Sequence, residues 1–178
     1  DYVFARKGDR TYVLAQARVA AVFGKEASEV EVLRAVKGRD LVGTQYEPLF
    51  DFAGKLDAPA HKMVADAFVT TGDGTGIVHA APAFGEDDYR VCRANGLAFV
   101  NLVEPNGKFT AACGPFAGRW VKEADGDIAR DLKRRGLLLK QERYKHDYPH
   151  CWRCKTPLLY YAREAWYIET TKVKERLV

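Results

Sequence analysis

The sequence predicts a mainly β, α+β fold: a β-barrel or sandwich core with peripheral helices, the closed β-barrel being the form expected. Short β-leaning segments such as Tyr2-Val3-Phe4-Ala5 and Glu29-Val30-Glu31-Val32-Leu33-Arg34-Ala35-Val36 recur between turns built on glycine, proline or asparagine. Helical periodicity is confined to a few stretches, and no regular alternation of strand with helix marks a doubly wound parallel sheet.

Each element has its own reason. Tyr2 to Ala5 and Thr11 to Ala15 flank the polar connection Arg6-Lys7-Gly8-Asp9-Arg10, which predicts a hairpin. Arg18 to Phe23, apolar with alanines, predicts a short helix closed by Gly24. Glu29 to Val36 largely alternates polar and apolar residues, as a half-buried strand does, and Lys37-Gly38-Arg39-Asp40 turns it. Leu41 to Phe52 holds Gly43, Pro48 and several aromatics and reads as loop. His61 to Thr70, Ile77-Val78 and Leu97 to Val103 read as extended strands. Pro82 and Gly85 break the chain before a helix from Glu86 to Asn95, ended by Gly96; the carboxylates of Glu86, Asp87 and Asp88 suit the positive end of its dipole. Glu104-Pro105-Asn106-Gly107-Lys108 is a tight turn. Ala124, Ile128 and Leu132 at fourfold spacing, with Gly136 beyond them, make Lys122 to Arg135 the clearest amphipathic helix. Leu137 to Lys140 follows as a strand. From about residue 145 the chain turns to aromatics, histidines and a cysteine pair, so a domain over 1–144 and an exit strap over 145–178 are expected.

Composition narrows the function classes. A chain of 178 residues, 47% hydrophobic, has material for one real core. A net charge of +4 allows a polyanionic partner but is far from that of a dedicated nucleic-acid binder. Isolated Cys92 and Cys113 and the pair Cys151-x-x-Cys154 do not make a dense disulfide framework, which points to a reducing cytoplasm. No run approaches the roughly 18 apolar residues of a membrane span, so no membrane partner is expected. The start at Asp1, without methionine, suggests a piece of a larger protein.

Chemistry concentrates between Thr71 and Asp88. Gly72, Gly74 and Gly76 let backbone approach a ligand, but their spacing is not that of a dinucleotide or Walker loop, so no nucleotide cofactor is expected. Taken singly, the glycines read as a turn, His79 as a core histidine and Glu86-Asp87-Asp88 as a solvated helix start; their co-occurrence within eighteen residues raises all three. No Gly-x-Ser-x-Gly is present, which argues against a covalent acyl-enzyme. Cys151-Trp152-Arg153-Cys154 has the spacing of half a structural zinc site, with His146 and His150 as local candidates to complete it. Lys133, Arg134, Arg135, Lys140, Arg143 and Lys145 form a basic stretch that either meets nucleic-acid phosphates or is a solvated face. Tyr144, Tyr148 and Trp152 either stack on a base or are packed inside.

Gly74-Thr75-Gly76-Ile77-Val78-His79-Ala80-Ala81-Pro82-Ala83-Phe84-Gly85-Glu86-Asp87-Asp88 closely resembles the signature of the editing domain, the first connective-peptide insertion, of isoleucyl-tRNA synthetase. The valyl and leucyl enzymes share Gly-Thr-Gly and Pro-Ala but typically have His-Asp at Phe84-Gly85 and no histidine at position 79; an editing domain of that kind is the second choice. A second block, Tyr148 to Leu158 followed by Ala165-Trp166-Tyr167-Ile168, resembles the segment that returns the insertion to the catalytic domain, and Gly118 to Asp131 also fits. In a different class, a non-catalytic zinc-dependent RNA-binding module would use the cysteine pair and the basic helix but leave His79 and Asp88 idle.

The resemblance implies that Asp88 holds the α-amino group of a mischarged aminoacyl ester and that His79 lines a wall admitting valine but not the longer isoleucine. It also implies that Gly74, Thr75, Gly76 and Phe84 contact substrate, the amides near Gly74 to Gly76 meeting the terminal adenosine or the oxyanion. The reaction would be attack of water on the ester of Val-tRNA(Ile), with no cofactor in the site. A single methylene gives too little binding energy for faithful selection, isoleucine against valine being the standard example, so a second sieve is needed. The implied partners are the 3′ end of tRNA(Ile), met by Tyr148, Lys133 and Arg134, and the catalytic domain of the same polypeptide. Cys151 and Cys154 would hold zinc only with a second Cys-x-x-Cys outside this chain, leaving a half-site here. The family's threonine-rich peptide, which forms one wall of the pocket, lies upstream of Asp1, so weak or no hydrolysis is expected of these 178 residues alone.

Overall fold

A computed structural model describes residues 1–142 and 146–177. Strand β1 (Tyr2–Lys7) pairs antiparallel with β2 (Arg10–Ala15), in register from Tyr2↔Ala15 to Lys7↔Arg10, so Gly8 and Asp9 alone make the turn. Its other edge pairs antiparallel with β3 (Glu31–Val36), with a register shift between Phe4 and Ala5. The order β2-β1-β3 puts the first strand in the middle. Alternation along the hairpin sends Val3, Ala5 and Leu14 to one side, where Phe23 of the short helix α1 (Val19–Phe23) closes over them. Tyr12 meets Phe23 edge-on at 5.4 Å. Burying side chains the size of Leu14 and Val3 stabilises by about 1.5–3 kcal/mol each.

A second core is aromatic. The 3₁₀ turn Ala111–Phe116 supplies Cys113 and Phe116, and helix α3 (Val121–Arg134) supplies Ala124, with Phe50, Phe52, Leu102, Phe109 and Ile128 around them. Phe50 and Phe52 stack at 5.0 Å, and Phe116 meets Phe50 edge-on at 5.8 Å. Ala124 is fully buried, which is why the predicted stripe begins with a small residue. Helix α2 (Glu86–Ala94) stands where the acidic start placed it, and α4 (Thr170–Leu177) falls in the strap, where no helix was expected.

The described residues form no closed barrel: the sheet is open, with β2 and β3 as its edges. The other segments expected as strands touch their neighbours only at points. The 61–70 segment is bent by His61, whose φ is +52°, and makes one isolated bridge, Gln45↔Lys62. Tyr46 N–H donates to His61 O and Met63 N–H to Thr44 O, both at 2.8 Å, and Gly43 N–H to Met63 O at 2.9 Å, without building a ladder. Along 97–103, Ala98 N–H donates to Pro59 O at 2.9 Å, and the bridge Val103↔Phe109 closes over the predicted 104–108 turn. Ile77-Val78 and 137–140 enter no ladder; the latter is pinned by Arg10 on Gly136 O and by Lys140 Nζ on Ala21 O at 3.1 Å. Residues Arg143, Tyr144 and Lys145, and with them the expected 144/145 boundary, lie outside the described residues. No described helix is long and apolar enough to cross a membrane.

Candidate functional site

The glycine loop is held down by the sheet. Ala15 N–H donates to Thr75 O at 2.8 Å, the Tyr2 hydroxyl to Gly76 O at 2.7 Å, and Arg18 donates to Gly74 O at 2.9 Å and Gly72 O at 2.8 Å. Gly76 has φ +76°, and a Cβ there would lie 2.5 Å from the Ala15 Cβ, so conformation and space both require glycine. Inside the loop, Gly74 N–H donates to Asp73 Oδ1 at 2.9 Å and Gly76 N–H to Asp73 O at 3.3 Å. The Thr75 hydroxyl donates to Ile77 O at 3.1 Å. The Gly74 and Gly76 amides, expected to face substrate, are thus engaged within the loop. Arg18 and Tyr2, which hold its carbonyls, carried no signal in the sequence because their partners lie more than fifty residues away.

Asp88 is the third residue of α2 and is half-buried. A Cβ on Gly85 would lie 2.5 Å from Asp88 Oδ2, so the carboxylate folds back over the residue preceding the helix. Gly85 has φ −156°, ordinary extended backbone, so a side chain there would meet no strain and would displace only the Asp88 carboxylate. Tyr89 N–H donates to Gly85 O at 2.9 Å and starts the helix. On the same side follow buried Val91 and Cys92, whose thiol is pushed up by burial first and then by the Asp88 charge. From outside, Arg90 grips Asp66 with two hydrogen bonds of 3.0 and 2.9 Å and reaches Asp87 at 3.1 Å. The Asp66 carboxyl is held at about 2, by the Arg90 hydrogen bonds first and the Phe68 N–H next, while Arg90 is pushed up.

His79 is exposed, and Val78 before it is 54% exposed, so Ile77-Val78 does not form the buried strand expected to deliver the histidine. No hydrogen bond, ion pair or ring contact joins His79 to Asp88 among the described residues. Phe84 is half-buried and meets Tyr161 of the strap edge-on at 6.3 Å. A cavity of about 880 Å³ lies between α2 and the strap, lined by Pro82, Tyr89, Cys92, Leu97, Phe99 and Ala162 among others. A second, of about 840 Å³, lies on the outer face of α2 along Glu86, Asp87, Arg90 and Arg93. Neither is lined by His79 or Asp88.

Of the expected tRNA-facing residues, Tyr148 and Arg134 have partners within the chain. The Tyr148 hydroxyl donates to Leu158 O at 2.7 Å, its ring sits between His146 and His150 at 5.8 and 5.9 Å, and Lys122 Nζ lies 4.8 Å above it. Arg134 pairs with Asp131 at 2.5 Å and Arg135 with the same carboxylate at 2.8 Å, which pushes the Asp131 carboxyl down. Arg135 also donates to Leu49 O at 2.9 Å and lies over Phe50. Lys133 and Trp152 remain exposed.

Cys151 and Cys154 sit on one tight hairpin. Cys151 N–H donates to Thr156 O and Lys155 N–H to Cys151 O, both at 2.9 Å, with Lys155 at φ +61°. The Thr156 hydroxyl lies 3.1 Å from Cys154 Sγ and, followed by the Thr156 amide and Cys151, pulls that thiol down to about 7. Two thiols on one turn, one of them readily ionised, fit half of a tetrahedral zinc set. His150 Nδ1 lies 2.8 Å from Tyr148 O. Among the described residues no group of three or more His, Cys, Asp or Glu is arranged to hold a metal ion.

No protein-family model matches the chain. Individual proteins do, along nearly its whole length, and they define its class: it corresponds to a segment of an aminoacyl-tRNA ligase. It is 48% identical over 170 residues to the isoleucine–tRNA ligase of Bdellovibrio bacteriovorus, matching 95% of this chain and 16% of that protein. Identity is 45% over 175 residues with the ligase of Bacillus thuringiensis (98% and 16%) and 42% over 178 residues with that of Clostridium tetani (100% and 17%). The chain belongs to the isoleucine–tRNA ligase family, of whose members it spans a sixth or so of the length.

Proposed function

We propose that the chain is the editing segment of an isoleucine–tRNA ligase, hydrolysing the ester of mischarged Val-tRNA(Ile) within the full-length enzyme. Similarity supports the ligase; the observation that carries the editing role is the Asp88 carboxylate. It is half-buried on the first turn of α2, folded back into the space that Gly85 leaves open, on a helix whose Arg90 grips Asp66. Such a group binds an α-ammonium by a charge-assisted hydrogen bond and so aims the adjacent ester carbonyl at water. His79 supplies a ring to the side-chain wall, a task that its exposed position at the end of the glycine loop leaves open. With the Gly74 and Gly76 amides engaged on Asp73, the loop contributes a backbone surface pinned by Arg18, and the oxyanion takes its donors elsewhere.

The same reading assigns the remaining parts. Lys133 and Arg134 approach tRNA phosphates, and Cys151 and Cys154 hold a structural zinc with two ligands from outside this chain; hydrolysis itself uses no cofactor. Further strands at the open edges of β2 and β3 would close the barrel, and the enzyme works in the cytoplasm. In full-length ligase, Asp88→Asn should slow Val-tRNA(Ile) deacylation by about 100-fold, the scale of a lost charged hydrogen bond, and leave isoleucine charging unchanged. Undiminished deacylation would remove the editing role.

A further inference from the structure

Resting on the editing reading, we infer that Tyr161 and Ala162 of the return strap are positioning residues for the editing carboxylate: the strap fixes the Ala83-Phe84-Gly85 segment and, through it, Asp88. Ala162 N–H donates to Ala83 O at 2.8 Å, and Ala83 is 1% exposed. The Tyr161 ring meets Phe84 edge-on at 6.3 Å and 61°, while its hydroxyl donates to Val103 O at 2.8 Å, tying the same residue to the aromatic half of the molecule. Two consecutive strap residues thus hold two consecutive residues of a segment nearly eighty positions earlier in sequence.

The next residue is Gly85. Its carbonyl accepts the first helical hydrogen bond of α2 from Tyr89 N–H, and its Cα is the surface on which the Asp88 carboxylate rests. Phe84 N–H donates to Ala81 O at 2.9 Å, so the segment is a tight turn. Displacing Ala83 and Phe84 therefore moves Gly85 against Asp88 instead of being absorbed by slack chain. Phe84, expected to touch substrate, serves here as the strut between strap and turn. Beyond Ala165 the strap becomes strongly exposed at Trp166, Tyr167 and Ile168. A change in how that stretch is held would reach the carboxylate through contacts already in place.

The test is a mutant cycle in full-length ligase, read as kcat and KM for Val-tRNA(Ile) deacylation, with isoleucine charging as the folding control. Ala162→Pro removes the donor to Ala83 O, and Tyr161→Phe removes only the hydroxyl while keeping the ring. Ala162→Pro should lower deacylation kcat by about tenfold, the scale of a small misplacement of a reacting group, with KM within about twofold. Tyr161→Phe should have a smaller effect of the same kind. In an Asp88→Asn background both effects should vanish, since the group they orient is gone. Equal losses with and without the Asp88 carboxylate, or a parallel fall in charging for both variants, would overturn the proposal while leaving editing intact. If Asp88→Asn by itself leaves deacylation unchanged, the editing reading falls and this inference with it.

Discussion

Gly76 and Gly85 both leave room for a neighbour, for different reasons, and the difference is measurable. At Gly76 a positive φ coincides with contact on Ala15, so Gly76→Ala should destabilise the chain by about 1–3 kcal/mol, read from urea unfolding. At Gly85 the backbone is relaxed and only the Asp88 carboxylate occupies the space of a Cβ. Gly85→Ala should leave the urea midpoint nearly unchanged while lowering Val-tRNA(Ile) deacylation by full-length ligase about tenfold or more. A loss of stability without a loss of deacylation would mean that Gly85 serves packing alone. The sequence made both glycines visible as punctuation, but which one adjoins a carboxylate depends on the helix that follows. For the same reason Asp88 was legible as an acidic helix start, whereas Arg18 and Tyr2, acting across the fold, were not.

At the scale of elements, α2 owes its attitude to Arg90 holding Asp66. The Asp66 carboxyl sits at about 2, below its ordinary 3.8, so this ion pair contributes fully above about pH 4 and its contribution is lost as pH falls toward 2. Urea midpoints of the chain and of Asp66→Asn should therefore differ near neutral pH and converge as pH approaches 2; parallel curves would contradict the assignment. Local pattern sufficed for the β1–β2 hairpin, α2, α3 and the 104–108 turn, because a short loop or a helical stripe fixes each within its own residues. Strand β3 forms, but over Glu31–Val36 alone and exposed on both faces instead of half-buried, with Val32 50% and Leu33 45% exposed. It failed where extended segments needed distant partners. Residues 61–70 and 97–103, expected as strands, find only isolated bridges; His61 breaks the first of them and a turn over Asp66–Val69 interrupts it again. The expected barrel followed from counting extended segments, and extension does not ensure a ladder.

Across the whole molecule, two separate cores and a long strap make the four thiols unequal. Cys92 and Cys113 are 4% and 1% exposed, whereas Cys154 is open to solvent, so iodoacetamide should label Cys154, and then Cys151, well before the other two. Early labelling of Cys113 would show that the aromatic core opens readily, and early labelling of Cys92 that the buried side of α2 does. With two thiols on one hairpin and no third ligand arranged beside them among the described residues, the dialysed 178-residue chain should retain well under one zinc, and a full equivalent held tightly would contradict the half-site.

Whether Asp88 serves editing is read plainly from the accumulation of Val-tRNA(Ile) by full-length ligase supplied with valine, ATP and tRNA(Ile). The enzyme with Asp88 should leave almost no stable product, while Asp88→Ala should accumulate it and still charge isoleucine normally. An Asp88→Ala enzyme that continues to clear Val-tRNA(Ile) would contradict the assignment of this segment to editing.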